Sequence, residues 1–386
     1  MHVLHIVSSI DPRSGGPVTA LQGLAEAQAA LGVRVSILST FLNDEDTSLA
    51  DRFRAAGITV RLIGPTLDRK IKWRGGIASV IAQLCAQGVD AIHVHGVWEE
   101  VQHQAGRVAR KKSIPYILRP CGMLDPWSLL QGGFHKRLYL HLRLKKLING
   151  AAAIHFTTDI ERDLAKPLCG NVAAIVEPNG LNLSEFADPL PHGEFRARHP
   201  QLQQKPVVLF LSRLHFKKGL DVLIGAFAKM KTTDAQLVIA GPDHDGYQVA
   251  VEKMAERAGV LGRVLFPGML SGREKVAAYA DADLFILPSR QENFGNVVIE
   301  SLAAGTPVVI SDQVNLCNAV RSANVGGVVP LDAPTLAAEL DRWLADESLR
   351  RETGLRARDY ARTEYAWPQI AARWSDHYER MKETPR

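Results

Sequence analysis

Two successive series of short Val/Ile/Leu runs, each run separated from the next by a longer amphipathic stretch, limit what this chain can fold into. The first series is HVLHIV, RVSILS, ITVRLI, AIHVHG, PYILRP, AAIHFT and AAIVEP; the second starts beyond Lys205 with PVVLFLS, QLVIAG, RVLFPG, DLFILPS, TPVVIS and GGVVP. Runs of this kind are strands and the stretches between them are helices. The runs are apolar at odd and even positions alike, so each strand must be covered on both faces, which demands a parallel sheet between helix layers. The expected fold class is α/β, with two doubly wound, Rossmann-like parallel-sheet domains. A length of 386 residues suits two domains.

The break between the series is PNGLNLSEFADPLPHGEFRARHP, where Asn179-Gly180 signals a turn and Pro189 and Pro191 prevent regular structure. The first domain is therefore expected over 1–185 and the second over 186–365. Ile370, Trp374 and Tyr378 recur every four residues, so 366–386 is expected to form a helix whose apolar stripe returns to the first domain. Ligands of open parallel sheets lie outside the carboxyl ends of the strands. A cleft between two facing sheets is the expected ligand site.

Other classes lose support. No stretch has the roughly 18 consecutive apolar residues of a spanning helix. The opening MHVLHIVSSIDP lacks a basic n-region, so a cytoplasmic chain without a secretion signal is expected. Cys85, Cys121, Cys169 and Cys317 are dozens of residues apart and are read as reduced thiols. P-loop, G-x-S-x-G, H-E-x-x-H and G-x-G-x-x-G patterns are missing, which argues against NTPase, serine hydrolase, zincin and ordinary dinucleotide oxidoreductase readings. Asp243-x-Asp245 and Asp281-x-Asp283 match a three-residue pattern that chance supplies often, so no metal and no cofactor are expected.

The formal net charge of +5 comes entirely from the first 185 residues, where 21 Lys and Arg stand against 16 Asp and Glu. Between Arg107 and Lys146 ten basic residues face the single acid Asp125. Such a field attracts anions or an anionic membrane surface. Within it, 134–148 reads as a basic amphipathic helix suited to peripheral membrane contact, or as a packed helix with a solvated face. No nucleic-acid partner is expected.

Two stretches carry the chemistry. In LPSRQENFGNVVIESLAAGTPVVIS, a strand ends at Pro288 and a helix begins near Asn296. Phe294-Gly295-Asn296 then presents backbone N–H groups at a helix start, a ready phosphate site. Glu292 in the loop and Glu300 in the helix suit hydrogen bonds from sugar hydroxyls; taken alone, Glu300 would equally serve the helix dipole. In LFLSRLHFKKGLDVLIGAF, Arg213 and Lys218 follow the strand and Gly219 opens the next helix. A planar fork and a point charge five residues apart can clamp a diphosphate and stabilise it as a leaving group.

With these motifs the sequence resembles the retaining glycosyltransferases of family four, which have the GT-B fold. The resemblance rests on the E-x7-E spacing of Glu292 and Glu300 inside S-R-x-E-x-F-G, the S-R-L-x-x-x-K-G loop from Ser212 to Gly219, and the Pro178-Asn179-Gly180 turn. Gly15-Gly16, Ala240-Gly241 and Phe266-Pro267-Gly268 match as well. It spans nearly the entire chain and is closer in the second domain. It implies that Arg213 and Lys218 grip the donor diphosphate, Glu300 the ribose and Glu292 the donor sugar, with backbone near Gly268 and Met269 meeting the nucleobase. The implied donor is a nucleoside diphosphate sugar and the acceptor a saccharide or lipid-linked saccharide, in surface polysaccharide synthesis. Leaving-group stabilisation would dominate catalysis, with no metal.

In the first domain, Gly15 and Gly16 would let backbone approach the donor. His95 ends a strand and is expected to face the cleft; it is either functional or a satisfied structural histidine. Trp98 either stacks on a sugar or caps the core. Cys121 stands where similar proteins carry His or another polar residue, and Asp125 either binds acceptor hydroxyls or caps the helix that follows. The rival readings are a nucleotide-sugar epimerase and a non-catalytic nucleotide-sugar-binding protein on the same fold.

Overall fold

The structure, a computed structural model, describes residues 1–67, 72–130 and 143–383. They form two units: Met1–Gly180 joined by the residues from Trp367 on, and Leu181–Ala366. Both are α/β units of the kind the alternating runs predict.

The first unit holds seven parallel strands, β1 (His2–Val7), β2 (Arg34–Thr40), β3 (Thr59–Ile63), β4 (Ala91–His95), β5 (Tyr116–Arg119), β6 (Ala153–Phe156) and β7 (Ala174–Val176). Their order across the sheet is β3-β2-β1-β4-β5-β6-β7. The second unit holds six, β8 (Val207–Leu211), β9 (Gln236–Ala240), β10 (Val264–Gly268), β11 (Leu284–Leu287), β12 (Val308–Ser311) and β13 (Gly326–Val329), in the order β10-β9-β8-β11-β12-β13. The central strands β1, β4, β8 and β11 are buried along their whole length, as two helix layers require. In each sheet the order reverses beside the first strand, at β1/β4 and at β8/β11. Loops leaving the carboxyl ends of those strands diverge and leave room for a ligand.

The terminal helix Trp367–Glu383 belongs to the first unit. Its stripe of Ile370, Trp374 and Tyr378 is buried against Val3, Ala20, Leu24, Ala91 and Ile117. Trp367 sets two glycines: a Cβ on Gly23 would stand 2.0 Å from its indole and one on Gly180 2.4 Å. Gly180 of the Pro-Asn-Gly turn is thus needed for close packing. The unit boundary falls at Gly180/Leu181, a few residues before the expected one, because the Leu181 N–H donates to the Tyr365 carbonyl at 2.6 Å and ties the chain beyond it to the second unit.

Among the described residues no helix is long and apolar enough to cross a membrane. Of the basic stretch 134–148, residues up to 142 lie outside the described residues. Lys145–Asn149 is a helical turn with Leu147 and Ile148 buried and Lys145 and Lys146 exposed, and Arg143 pairs with Glu100 at 2.5 Å.

Candidate functional site

In the second unit, the loops leaving β8 and β11 are stitched together at the switch point. The β8 loop makes one 3-10 turn over Phe216–Lys218, capped by the His215 ring, which accepts from the Lys217 N–H at 3.2 Å. Gly219 then opens helix Leu220–Phe227 with φ +67°, and a Cβ there would stand 2.0 Å from the Pro288 carbonyl oxygen. Only glycine allows both the left-handed backbone and that approach. Arg290 locks the two loops: its N–H donates to the Lys217 carbonyl at 2.7 Å and its guanidinium donates twice to Asp221, at 2.7 Å each.

This lock brings Lys218 onto Glu292. The ammonium and the carboxylate form an ion pair whose side chains are 13% and 19% exposed. Glu292 is held from its other side too, since its N–H donates to the Gln313 carbonyl at 3.2 Å and its carbonyl accepts from the Asn315 N–H at 3.0 Å. An ammonium has three N–H donors, so pairing with one carboxylate oxygen leaves capacity for a ligand oxygen. Arg213, at the carboxyl end of β8, is exposed and has no ion pair among the described residues.

Gly295, with φ +86°, opens helix Asn296–Ala303, and Phe294 before it is buried edge-on against Tyr365. The first N–H groups of a helix lack intrahelical acceptors and carry the positive end of its dipole. Glu300, one turn in, accepts from Lys275 Nζ and from the Tyr279 hydroxyl at 2.9 Å each. Burial, with the Glu300 charge and hydrogen bond, pushes the Tyr279 phenol well above its ordinary range, so the hydroxyl stays a donor. Two of the carboxylate's roughly four lone-pair positions are thus used, and Lys275 offsets its charge. Neither Lys275 nor Tyr279 is signalled in the sequence; each is an isolated residue on a helix whose pattern says nothing of Glu300. Gly268 has φ +81°, and Met269 after it is 71% exposed at the end of β10.

In the first unit, Gly15 has φ +76° and Gly16 begins helix Gly16–Ala30 at the carboxyl end of β1. Trp98 is partly buried against the core, and the Asp125 carboxylate accepts from the Trp127 N–H at 2.7 Å, at the start of helix Pro126–Leu130. Cys121 adopts φ +54°, and burial pushes its thiol above the usual range, which disfavours the thiolate.

His95 does not project from its strand as expected. It is 3% exposed and lies in a row of buried histidines, His5 on β1, His93 and His95 on β4 and His155 on β6. Alternation along β4 puts His93 and His95 on one face, and register sets His5 opposite His93. The helices Gly16–Ala30 and Trp367–Glu383 cover that face, supplying Gln28 and Tyr378. Ring nitrogens of His5, His93 and His95 lie within 4.8 Å of one another, a donor set suited to a transition-metal ion. Both nitrogens of His5 and of His93, however, are already engaged in hydrogen bonds, as is Nε2 of His95. An ion taking one nitrogen from each ring would have to break that chain.

A cavity of about 840 Å³ opens at the amino ends of β4, β5 and β6, lined by Ile114, Tyr116, Arg110 and Arg380 among others. It lies at the opposite end of the sheet from Gly15 and Cys121, and open α/β sheets bind ligands at the carboxyl ends.

Two doubly wound units, the second carrying Arg213, Lys218 and a helix start in the loops at its switch point, define a GT-B fold. The chain belongs to the glycosyltransferases: residues 192–360 match the family Glycosyl transferases group 1, and residues 15–180 match the Glycosyl transferase 4-like domain. It is 32% identical over 217 residues to the D-inositol 3-phosphate glycosyltransferase of Streptomyces bingchenggensis, a stretch covering 54% of this chain and 47% of that one. It is 28% identical over 245 residues to the GDP-mannose-dependent alpha-(1-6)-phosphatidylinositol monomannoside mannosyltransferase of Mycobacterium tuberculosis, covering 60% of this chain and 63% of that one. The chain thus spans about half of the first relative's length and under two thirds of the second's. The fold matches Anabaena HepE in complex with UDP and glucose with a TM-score of 0.79 at 18% identity, over 98% of this chain and 100% of that one.

Proposed function

We propose that this protein moves a sugar from a nucleoside diphosphate sugar to a hydroxyl of a saccharide or lipid-linked acceptor, with retention of anomeric configuration and without a metal, in surface polysaccharide synthesis. The observation that carries the reading is the Lys218–Glu292 ion pair, which joins the loop after β8, where Arg213 also lies, to the loop after β11 that leads into the Gly295–Asn296 helix start. Arg213 and Lys218 hold the diphosphate against the helix start, where positive partial charge favours it. As the glycosidic bond breaks, negative charge grows on the leaving phosphate, and these preorganised donors stabilise it more than they stabilise the bound donor. Glu292, beside Lys218, accepts from hydroxyls of the donor sugar, and Glu300 accepts from the ribose. The exposed Met269 and the backbone at Gly268 offer an apolar ledge for the base. That one relative is named for GDP-mannose supports a nucleoside diphosphate sugar donor, and that relatives are named for inositol phosphate and phosphatidylinositol monomannoside supports a polyhydroxylated acceptor. The basic surface around Lys145 and Lys146 supports peripheral contact with an anionic membrane, and with it work at the inner face of the plasma membrane.

The test is a labelled-sugar transfer screen over UDP- and GDP-sugars with saccharide and lipid-linked acceptors. Transfer with retained configuration is expected. Epimerised donor without acceptor, or donor binding without turnover at saturation, would overturn the reading in favour of an epimerase or a binding protein.

A further inference from the structure

The buried histidines of the first unit form a chain whose every proton position is set from one end. The chain starts at the Glu177 backbone carbonyl, which accepts from His155 Nε2 at 2.9 Å. A carbonyl can only accept, so His155 carries its proton on Nε2, and its Nδ1 is a lone pair. His93 Nε2, 3.2 Å from that lone pair, must donate to it, which leaves His93 Nδ1 unprotonated. The Tyr378 hydroxyl, 2.8 Å away, therefore donates to His93 Nδ1, and its oxygen accepts from the Gln28 amide nitrogen at 3.3 Å. That sets the Gln28 amide with Oε1 toward His5 Nε2 at 2.8 Å, so His5 donates there and accepts at Nδ1 from His95 Nε2 at 3.0 Å. The last atom, His95 Nδ1, is then a bare lone pair, and it is buried with no hydrogen-bond partner. Burial holds all four rings neutral, as this accounting requires.

The opposite direction fails. Were His95 protonated on Nδ1, the reversed chain would bring two lone pairs face to face between His93 and His155.

A second buried polar atom lies at the same end of the sheet. Arg119, directly opposite His95 in the β4–β5 register, is 3% exposed, with its Nη2 on the Asn179 amide oxygen and its Nε–H without a partner. Among the described residues no carboxylate pairs with this guanidinium. His95 and Arg119 are thus register partners on neighbouring strands, one carrying an accepting nitrogen and the other a donating N–H, at the carboxyl ends of β4 and β5. A phosphate or carboxylate brings only acceptors and would face the lone pair with another. A hydroxyl can donate to an accepting nitrogen and accept from an N–H.

We infer that His95 Nδ1, with Arg119 Nε–H on the neighbouring strand, receives one hydroxyl of the acceptor saccharide, and that the chain from Glu177 through Tyr378 and Gln28 holds His95 in the accepting tautomer. This rests on the glycosyltransferase reading. His95 and Arg119 touch the substrate; Gln28 and Tyr378 are positioning residues acting through it, one of them supplied by the terminal helix. A trapped water offers the same O–H chemistry, and the test separates the two.

Long-range 15N–1H spectra of the imidazoles should show all four rings as the Nε2–H tautomer in the full-length protein. Tyr378→Phe removes the hydroxyl that links the anchored half to the rest. His155 and His93 should stay fixed while His5 and His95 exchange between tautomers. With the donor and acceptor pair that the transfer screen identifies, the bare Nδ1 resonance of His95 should move upfield when the acceptor is added. His95→Leu should raise the acceptor KM at least tenfold with the donor KM unchanged, and His95→Asn, whose Oδ1 stands near the Nδ1 position, should recover most of that loss. An Nδ1–H His95 in the parent overturns the inference. So does an acceptor KM unaffected by His95→Leu with only the melting temperature lowered, the result a trapped water gives. If His95→Leu fails to fold, the acceptor-induced shift in the parent decides alone. Should the parent transfer no sugar at all, the glycosyltransferase reading falls and takes this inference with it; transfer without a His95 shift overturns this inference only.

Discussion

The Lys218 ammonium is ion-paired with Glu292, 74 positions further along the chain, across the loops that leave β8 and β11. The pairing keeps both side chains in place before a donor arrives, so neither has to be ordered during binding. Lys218→Ala removes the cation proposed to meet the leaving phosphate and leaves Glu292 without this partner. The expected loss is about 2–4 kcal/mol of transition-state stabilisation, roughly thirtyfold to a thousandfold in kcat. Transfer kinetics, with the melting temperature as a check on folding, measure it; unchanged kcat would refute the leaving-group role.

Gly219→Ala should damage the second unit without touching any charged group. The left-handed backbone alone costs about 1 kcal/mol or more, and the added Cβ would collide with the Pro288 carbonyl, 2.0 Å away. Urea unfolding should show a loss of at least about 2 kcal/mol. Gly180→Ala should destabilise the first unit in the same way, and Trp367→Ala in the same chain should relieve part of that loss, because the indole is what the new methyl meets.

Acid should weaken the first unit well before carboxylates titrate. Burial lowers the His5 pKa from 6.5 to about 4, and it lowers those of His93, His95 and His155 in the same sense. The unfolded chain therefore binds more protons than the folded one in that window, so stability is full above pH 6.5 and is lost as pH falls toward 4. His5 alone should remove on the order of 1 kcal/mol between pH 7.5 and 5.5. Denaturant melts at the two pH values measure this, and His5→Gln should flatten the dependence.

Chelation should leave transfer intact. The cations of the proposed diphosphate site are Arg213 and Lys218, and in the one clustered set of histidines among the described residues both nitrogens of His5 and of His93 are already held in hydrogen bonds. EDTA followed by gel filtration and a transfer assay is the measurement; activity abolished and then restored by an added metal would contradict metal independence.

Charge reversal at the exposed Lys145 and Lys146 should reduce cosedimentation with phosphatidylserine vesicles at low salt, with the difference shrinking as salt rises. Equal sedimentation of the double variant and the parent would dismiss a membrane role for this surface.

Much of the second unit was legible because its signals are local. Gly219 and Gly295 open the helices that follow β8 and β11 after short loops, and the motifs holding Arg213, Lys218, Glu292 and Glu300 are each contiguous. The first unit hid its chemistry. His95 reads as the polar end of a strand, and its burial depends on the returning helix Trp367–Glu383, whose Tyr378 lies 285 positions from His93. Gln28 looks like an ordinary helix residue until its amide meets His5 at 2.8 Å. Cys121 stays without an assigned role: its thiol lies 3.7 Å from the Arg119 carbonyl, a weak contact that explains nothing about ligands.

By itself the sequence determined the two parallel sheets, their order of helices and strands, and the loops that bear the charged groups, because periodicity, turn residues and helix starts act over a few positions. Tertiary structure alone decided which groups pair, such as Lys218 with Glu292 and Lys275 with Glu300, and which nitrogen of each histidine holds a proton. Those outcomes depend on partners brought in from distant strands and helices, and hydrogen-bond direction is a property of the completed chain of contacts.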